Sequence, residues 1–340
     1  MAESWFALSH KDQAEALEVA SGRSGRPAHL LEKDIWVVWA LSVIYASPLA
    51  PTLTFKGGTS LSKAYQIIDR FSEDIDLTYD IRALVPDLLR AGDPIPASSS
   101  QEKKISSAVR DRLPEWIRAS VQPIVQAALN AAGLPAVLSI AGKDSDKLIV
   151  TYEAVRTGTG YAAPTIQLEF GARATGEPHQ VSLVSCDMAP LIEAVEFPVA
   201  HPLVMSAERT FWEKATAAHV YCLQGRLRGD RYSRHWYDLA AMARTEYFEK
   251  AVQDQALALQ VARHKSMFFA EKDASGHWID YTQAVSGSLQ LIPQGASLAA
   301  LEKDYIAMLQ DGLVARHQPD FAELLERCRA IQDRVHQRST

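Results

Sequence analysis

Cysteine is scarce. Cys186, Cys222 and Cys328 are the only three in 340 residues, and no two stand at a paired spacing. That excludes a disulfide framework and a cysteine-based zinc site, and it fits reduced thiols. Long apolar runs are missing too: the longest, Ile35 to Leu49, is interrupted by Ser42 and Ser47 and is short for a membrane span. The opening residues, Met1-Ala2-Glu3-Ser4-Trp5, show no basic region followed by an apolar core. No signal peptide is therefore expected, and the chain reads as soluble and cytoplasmic. An excess of positive charge is also lacking. A formal net charge of −6 and a pI near 5.9 argue against a protein that coats nucleic acid through its overall field. A local basic patch stays compatible with that total. There is no internal repeat, no Gly-x-Ser-x-Gly elbow, no Walker-type lysine turn and no His/Cys cluster at zinc spacing.

What is present is ample core material. An apolar share of 47% and an aromatic share of 8% place the chain in the ordinary globular class. The length of 340 residues suits two domains, or one large domain with a helical appendage. Residues 9–20 and 29–46 read as helices separated by a turn-rich Ser/Gly/Arg/Pro segment, and the second is apolar enough to be buried on more than one face. Leu53 to Lys56 reads as a strand ending at Gly57-Gly58, Ser60 to Asp69 as helix, and Ile75 to Tyr79 as strand. Residues 92–104 are loop-like and lead into a helical stretch expected to break or kink at Pro114. Lys147–Val155, Thr165–Phe170 and Gln180–Ser185 read as adjacent antiparallel strands. From about Met205 the pattern is helical, with a soft boundary near His201-Pro202. The expected class is α+β: an α/β domain over 1–204 with a mixed or antiparallel sheet, then a helical domain over 205–340.

The chemistry-bearing segment is Phe55-Lys56-Gly57-Gly58-Thr59-Ser60-Leu61-Ser62, followed by Arg70-Phe71-Ser72-Glu73-Asp74-Ile75-Asp76-Leu77. Glycines between a strand and a helix let backbone approach a phosphate, and the helix start directs N–H groups at the anion. Thr59, Ser60 and Ser62 add hydroxyls. Taken alone, such a turn is common. In a strand, residues two apart share a face, so Asp74 and Asp76 point together while Ile75 and Leu77 point into the core. Two clustered carboxylates repel unless a cation lies between them, and hard oxygen donors suit magnesium. Solvated acids on an exposed strand are the bland alternative. The Gly-Gly turn, supplying a phosphate site for the same metal to bridge, favours function.

These segments resemble the signature of the AbiEii/MenT family of nucleotidyltransferase toxins, members of the DNA polymerase β-like superfamily found in type IV toxin–antitoxin systems. Lys33-Asp34 upstream, Arg209-Thr210-Phe211-Trp212-Glu213-Lys214, Arg234-His235-Trp236-Tyr237-Asp238-Leu239, His264-Lys265 and Asp304-Tyr305 extend the likeness over most of the chain. The gap between the Gly-Gly turn and the aspartates is longer than in most of the superfamily but suits this family.

The resemblance implies a polymerase β-like core, with the helical domain contributing Lys214 and Asp238 to the cleft. It also implies magnesium-dependent transfer of a nucleoside monophosphate from an NTP to an acceptor hydroxyl, most often the 3′ end of tRNA, which blocks translation. Asp74 and Asp76 would hold one or two Mg2+ ions, and Gly57, Gly58, Thr59 and Ser60 would cradle the phosphates. By pattern Lys214 is a snorkelling lysine beside an apolar stripe; by resemblance it contacts the triphosphate. Asp238 by pattern is an early-helix acid; by resemblance it belongs to the active site. Glu169, on the opposite face from Ile166, Leu168 and Phe170, is the candidate third carboxylate, as metal ligand or base. Arg70 and Ser72 either line the cleft or fasten the turn. His219 is expected to pack or hydrogen-bond, and Trp36, Trp39 and Trp212 to be core. Two basic stretches, Lys103 to Arg118 and Arg226/Arg228/Arg231/Arg234, are compatible with RNA or are simply solvated. A cognate antitoxin is implied, and a monomer is the default. Three rival readings stand beside this one: transfer to a protein or small molecule, a non-catalytic nucleotide- or RNA-binding module, and a purely structural Asp-x-Asp.

Overall fold

The computed structural model describes residues 3–72, 74–90, 93–158, 163–225, 231–310, 314 and 319–337. Two compact units are present. The first comprises Met1–Ala64, Phe71–Pro94 and Lys104–Met205; the second comprises Tyr65–Arg70, Ile95–Lys103 and Ser206–Thr340.

In the first unit, helix α1 (His10–Ser24) opens with the Ser9 hydroxyl accepting the Asp12 N–H and closes at Gly25, whose φ of +74° a β-carbon would strain. Helix α2 (Ala28–Tyr45) is buried at every position from Leu30 to Leu41. Its three charged residues are tied down in compensation. The Glu32 carboxylate accepts the Val155 and Arg156 N–H groups, Lys33 donates to the Ala163 carbonyl, and Asp34 meets Lys63 at 2.6 Å. Strand β1 (Leu53–Lys56) runs into α3 (Gly57–Lys63), and β2 (Asp74–Tyr79) returns beside it. The helix is shorter than the sequence pattern predicts. It ends at Lys63, and Gln66 takes a φ of +54°, in the left-handed region that no helix accommodates.

The helix α4 (Ser99–Trp116) passes through Pro114 without breaking there; a π turn at Ile117–Val121 follows, and α5 (Gln122–Ala132) continues. The expected break is thus displaced by three residues into a wider turn. Strands β3 (Ala136–Ala141), β4 (Lys147–Tyr152), β5 (Thr165–Gly171), β6 (His179–Val181) and β7 (Leu203–Met205) complete a seven-stranded mixed sheet of order β3-β4-β5-β2-β1-β7-β6. The expectation of three consecutive antiparallel neighbours holds only for β4 and β5. Instead β2 pairs with β5 in parallel, and β6 lies at the far edge against β7. Helix α2 packs on β5 and α5.

The second unit is helical. Helix α6 (Ala207–Gln224) packs with α7 (Ser233–Met242), α8 (Glu246–Gln253) and α9 (Gln255–Phe268), while α10 (Ala296–Gln310) and α11 (Phe321–His336) lie against α7. Its core holds Phe211, Trp212 and Trp236, all fully buried. The two indole N–H groups donate to the Ala251 and Leu291 carbonyls, which spares each an unsatisfied donor. Among the described residues no helix is long and apolar enough to cross a membrane.

Candidate active site

On β2 the burial alternates, with Asp74 and Asp76 partly exposed between fully buried Ile75 and Leu77. The two carboxylates therefore share one face of the sheet. Register then builds a row across it: Lys147 pairs with Glu169, Glu169 with Asp76, and Asp76 with Lys56. Four in-register charges stand side by side on neighbouring strands, the acids Glu169 and Asp76 in the middle and a lysine at either end. The Glu169 carboxylate lies 2.7 Å from the Lys147 ammonium. That contact raises the lysine's pKa against the opposing effect of burial.

The turn before α3 is shaped around this row. Gly57 has a φ of +81°, and a β-carbon there would stand 2.0 Å from Oδ2 of Asp76. Glycine is required twice over, by conformation and by the approach of the carboxylate. Thr59 and Ser60 are fully buried, and their hydroxyls are already engaged. Thr59 donates to the Asp74 carbonyl and its oxygen accepts from the Ser72 hydroxyl, which fastens α3 to the start of β2. Ser60 donates to the Gly57 carbonyl. The groups this turn offers outward are thus the backbone N–H groups of a helix start, which lack intrahelical acceptors.

In the second unit Asp238 is fully buried in the middle of α7, well past the first turn where an acid would only answer the helix dipole. Arg70 grips it with two parallel bonds, Nε to Oδ1 at 2.6 Å and a terminal nitrogen to Oδ2 at 2.7 Å. Lys214 on α6 adds a third contact at 2.8 Å. Burial alone would raise this carboxyl's pKa; the Arg70 and Lys214 charges overcome it and hold the group well below the ordinary range. His235 nearby is pushed down to about 3, by burial first and by Lys214 second, so it is neutral. His219 is pushed down to about 4 by burial, and its Nδ1 accepts the Gln290 N–H.

The start of α7 is itself anchored: Asp304 on α10 accepts the N–H groups of Arg231 and Ser233 at 2.6 and 2.7 Å. Neither this cap nor the bidentate role of Arg70 is foreseeable from spacing, since both partnerships span more than 70 residues. The signal available was an acid in each downstream motif and an arginine immediately before the Asp-x-Asp strand.

Of the basic stretches, Lys104, Arg110 and Arg118 are exposed along the helix, while Arg112 is taken up by Asp87 at 2.6 Å. Arg226 and Arg228 lie outside the described residues. No three His, Cys, Asp or Glu side chains among the described residues converge as a preformed metal site. Asp74 and Asp76 nevertheless fit a hard cation in donor type, and the space at Gly57 keeps the Asp76 oxygens accessible from the turn.

The glycine turn and the carboxylate pair on the adjoining strand stand together in the first unit, and the Lys214–Asp238 ion pair lies in the second. The sequence profile of the nucleotidyl transferase AbiEii toxin family of type IV toxin–antitoxin systems matches residues 39–327, and the chain belongs to that family. Among solved structures, MenT4, a nucleotidyltransferase toxin from Mycobacterium tuberculosis H37Rv, aligns over 98% of this chain and 100% of its own, with 16% identity and a TM-score of 0.43. No curated protein matches in sequence. The chain is therefore a nucleotidyltransferase toxin by family, with an NTP and a cognate antitoxin as its implied partners.

Proposed function

We propose that this toxin transfers a nucleoside monophosphate from an NTP to the 3′-terminal hydroxyl of a tRNA and so blocks translation. The acceptor oxygen attacks the α-phosphorus, a new P–O bond forms, the bond to the bridging oxygen breaks, and pyrophosphate leaves. Asp74 and Asp76 are the ligands we assign to one or two magnesium ions, which when bound offset phosphate charge and make the acceptor hydroxyl more acidic. The backbone of Gly57 and Gly58 is assigned to the phosphates, with Thr59 and Ser60 holding the turn in shape. Lys214 is assigned to the triphosphate, and Asp238 orients it through their 2.8 Å ion pair. Glu169 serves as third ligand or as base toward the acceptor proton, once it exchanges Lys147 for the substrate complex. We take the protein to work as a cytoplasmic monomer.

The observation that carries this reading is the same-face pair Asp74/Asp76 with Gly57 shaped around Asp76. The test is incubation with magnesium, tRNA and each α-labelled NTP, using Asp76→Ala as control. Label entering RNA with the wild type but not the variant is the expected result. Label entering neither RNA nor protein while nucleotide still binds would overturn the RNA assignment. Label in a protein or small molecule would redirect it to another acceptor.

A further inference from the structure

Within the second unit a cavity of about 300 Å³ opens between the Tyr65–Arg70 segment and one face of α7. It exists because that face carries Ala240 and Ala241, where any larger aliphatic residue would fill the space. Its walls are aromatic. The rings of Tyr65 and Tyr247 meet edge to face at 5.3 Å, and Tyr237 stands on α7 one residue before Asp238.

Tyr237 stands beside the Asp69 backbone and Tyr65 beside that of Ala207. Two guanidinium groups border the space. Arg327 is shared with Glu323, its neighbour one turn away on α11. Arg244 is exposed, and its side chain makes no hydrogen bond or ion pair among the described residues. The segment forming the other wall passes through Gln66 at a φ of +54°, a conformation that residues with a β-carbon seldom adopt.

An aromatic wall, a void of single-nucleotide size and a guanidinium without a counter-charge together define a ligand that is planar at one end and anionic at the other. The geometry points to a mononucleotide-binding site: a base seated against the tyrosines and a phosphate on Arg244, with Asp69 on the rim able to accept a ribose or base hydrogen. No residue of this cavity belongs to the set assigned above to transfer. The choice of a nucleotide as ligand class rests on the nucleotidyl-transfer reading; the cavity itself does not. Two sources share this chemistry, a free nucleotide and one nucleotide of a bound single-stranded RNA.

The test is equilibrium titration of the full chain, in magnesium-free buffer, with adenosine 5′-monophosphate and separately with a six-residue single-stranded oligoribonucleotide. Saturable binding is expected, weakened about tenfold or more both by Arg244→Ala and by the space-filling Ala241→Leu. Displacement of the monophosphate by the oligonucleotide assigns the site to RNA; binding of the monophosphate alone assigns it to a free nucleotide. Absence of saturable binding, or affinities within about twofold of wild type in both variants, overturns the proposal. Asp76→Asn separates the two readings. It should lower transfer roughly 10²–10³-fold and leave this binding unchanged, so each reading fails on its own measurement.

Discussion

The two units treat their key carboxylates in opposite ways. On the sheet, Asp74 and Asp76 are partly exposed, and Asp76 stands in a row of two acids flanked by two lysines whose Glu169–Lys147 pair is more than a quarter exposed on each side. In the helical unit, Asp238 has no exposure and is held by two cations, of which Arg70 is itself almost fully buried. A carboxylate that must accept a ligand has to keep water-facing oxygens. One that must hold other residues in place gains from having none. The first arrangement trades stability for access, and the second converts charge into position. Mutations should therefore separate them, with the sheet aspartates costing activity and Asp238 costing the fold.

The largest effect expected is at Asp238. Replacing it by Ala strands Arg70 and Lys214 in a buried site without a counter-charge, which should destabilise the protein by about 3–5 kcal/mol. Denaturant unfolding of the purified variant measures this directly. A loss below about 1 kcal/mol would mean that the clamp is not what holds this part of the helical unit. Asp76→Asn is the opposite case. Transfer should fall roughly 10²–10³-fold, as when a single preorganised transition-state contact is removed. Its midpoint of unfolding should stay where it is, because the variant relieves a row of neighbouring charges and opens no cavity. Coincident losses of stability and activity in both variants would erase the distinction.

Local signals in the sequence carry much of this, and non-local ones do not. Leu53–Lys56 emerges with the bounds predicted, and α2 shows the all-round burial its composition demands, because each depends only on neighbouring residues. The face shared by Asp74 and Asp76 follows from strand periodicity alone. Strand β3 escapes detection. As an edge strand it leaves Val137 70% exposed and mixes Ala and Ser among its apolar residues, so its alternation does not separate core from solvent. The parallel pairing of β2 with β5 joins residues more than 90 positions apart, and no local pattern encodes it. The Arg70–Asp238 clamp is hidden for the same reason: an arginine and an aspartate 168 residues apart look like two surface charges until the fold buries both. Thr59 and Ser60, read as phosphate donors from their place beside the glycines, spend their hydroxyls inside the turn.

Acid should expose the next difference. His219, held neutral in the helical unit, has its pKa lowered from 6.5 to about 4. The unfolded chain therefore binds a proton that the folded chain refuses between those values. The stability concerned is complete above pH 6.5, is lost as pH falls toward 4, and amounts to up to about 3 kcal/mol. His235, lowered to about 3, acts in the same direction and in the same unit. His219→Asn, whose side-chain oxygen can still accept the Gln290 N–H, should flatten the slope of unfolding free energy between pH 6.5 and 4. An unchanged slope would assign the acid sensitivity elsewhere.

The smallest effect tests the sheet more finely. Lys147 and Glu169 are 29% and 39% exposed, so breaking their contact should alter stability by less than about 1 kcal/mol. Its consequence for ligands is less trivial. Glu169 is in register with Asp76, and Lys147 now occupies the charge that a third metal ligand would need to offer. Lys147→Ala should therefore lower the magnesium concentration giving half-maximal transfer by several-fold if Glu169 is a ligand. If Glu169 instead acts only as a base toward the acceptor, the half-saturating concentration should stay fixed while the rate changes. Either shift leaves the helical clamp untouched, since no part of the Lys147–Glu169 pair belongs to the Arg70–Asp238–Lys214 set. A measurement of metal dependence thus distinguishes two roles for one carboxylate that geometry alone leaves equally available.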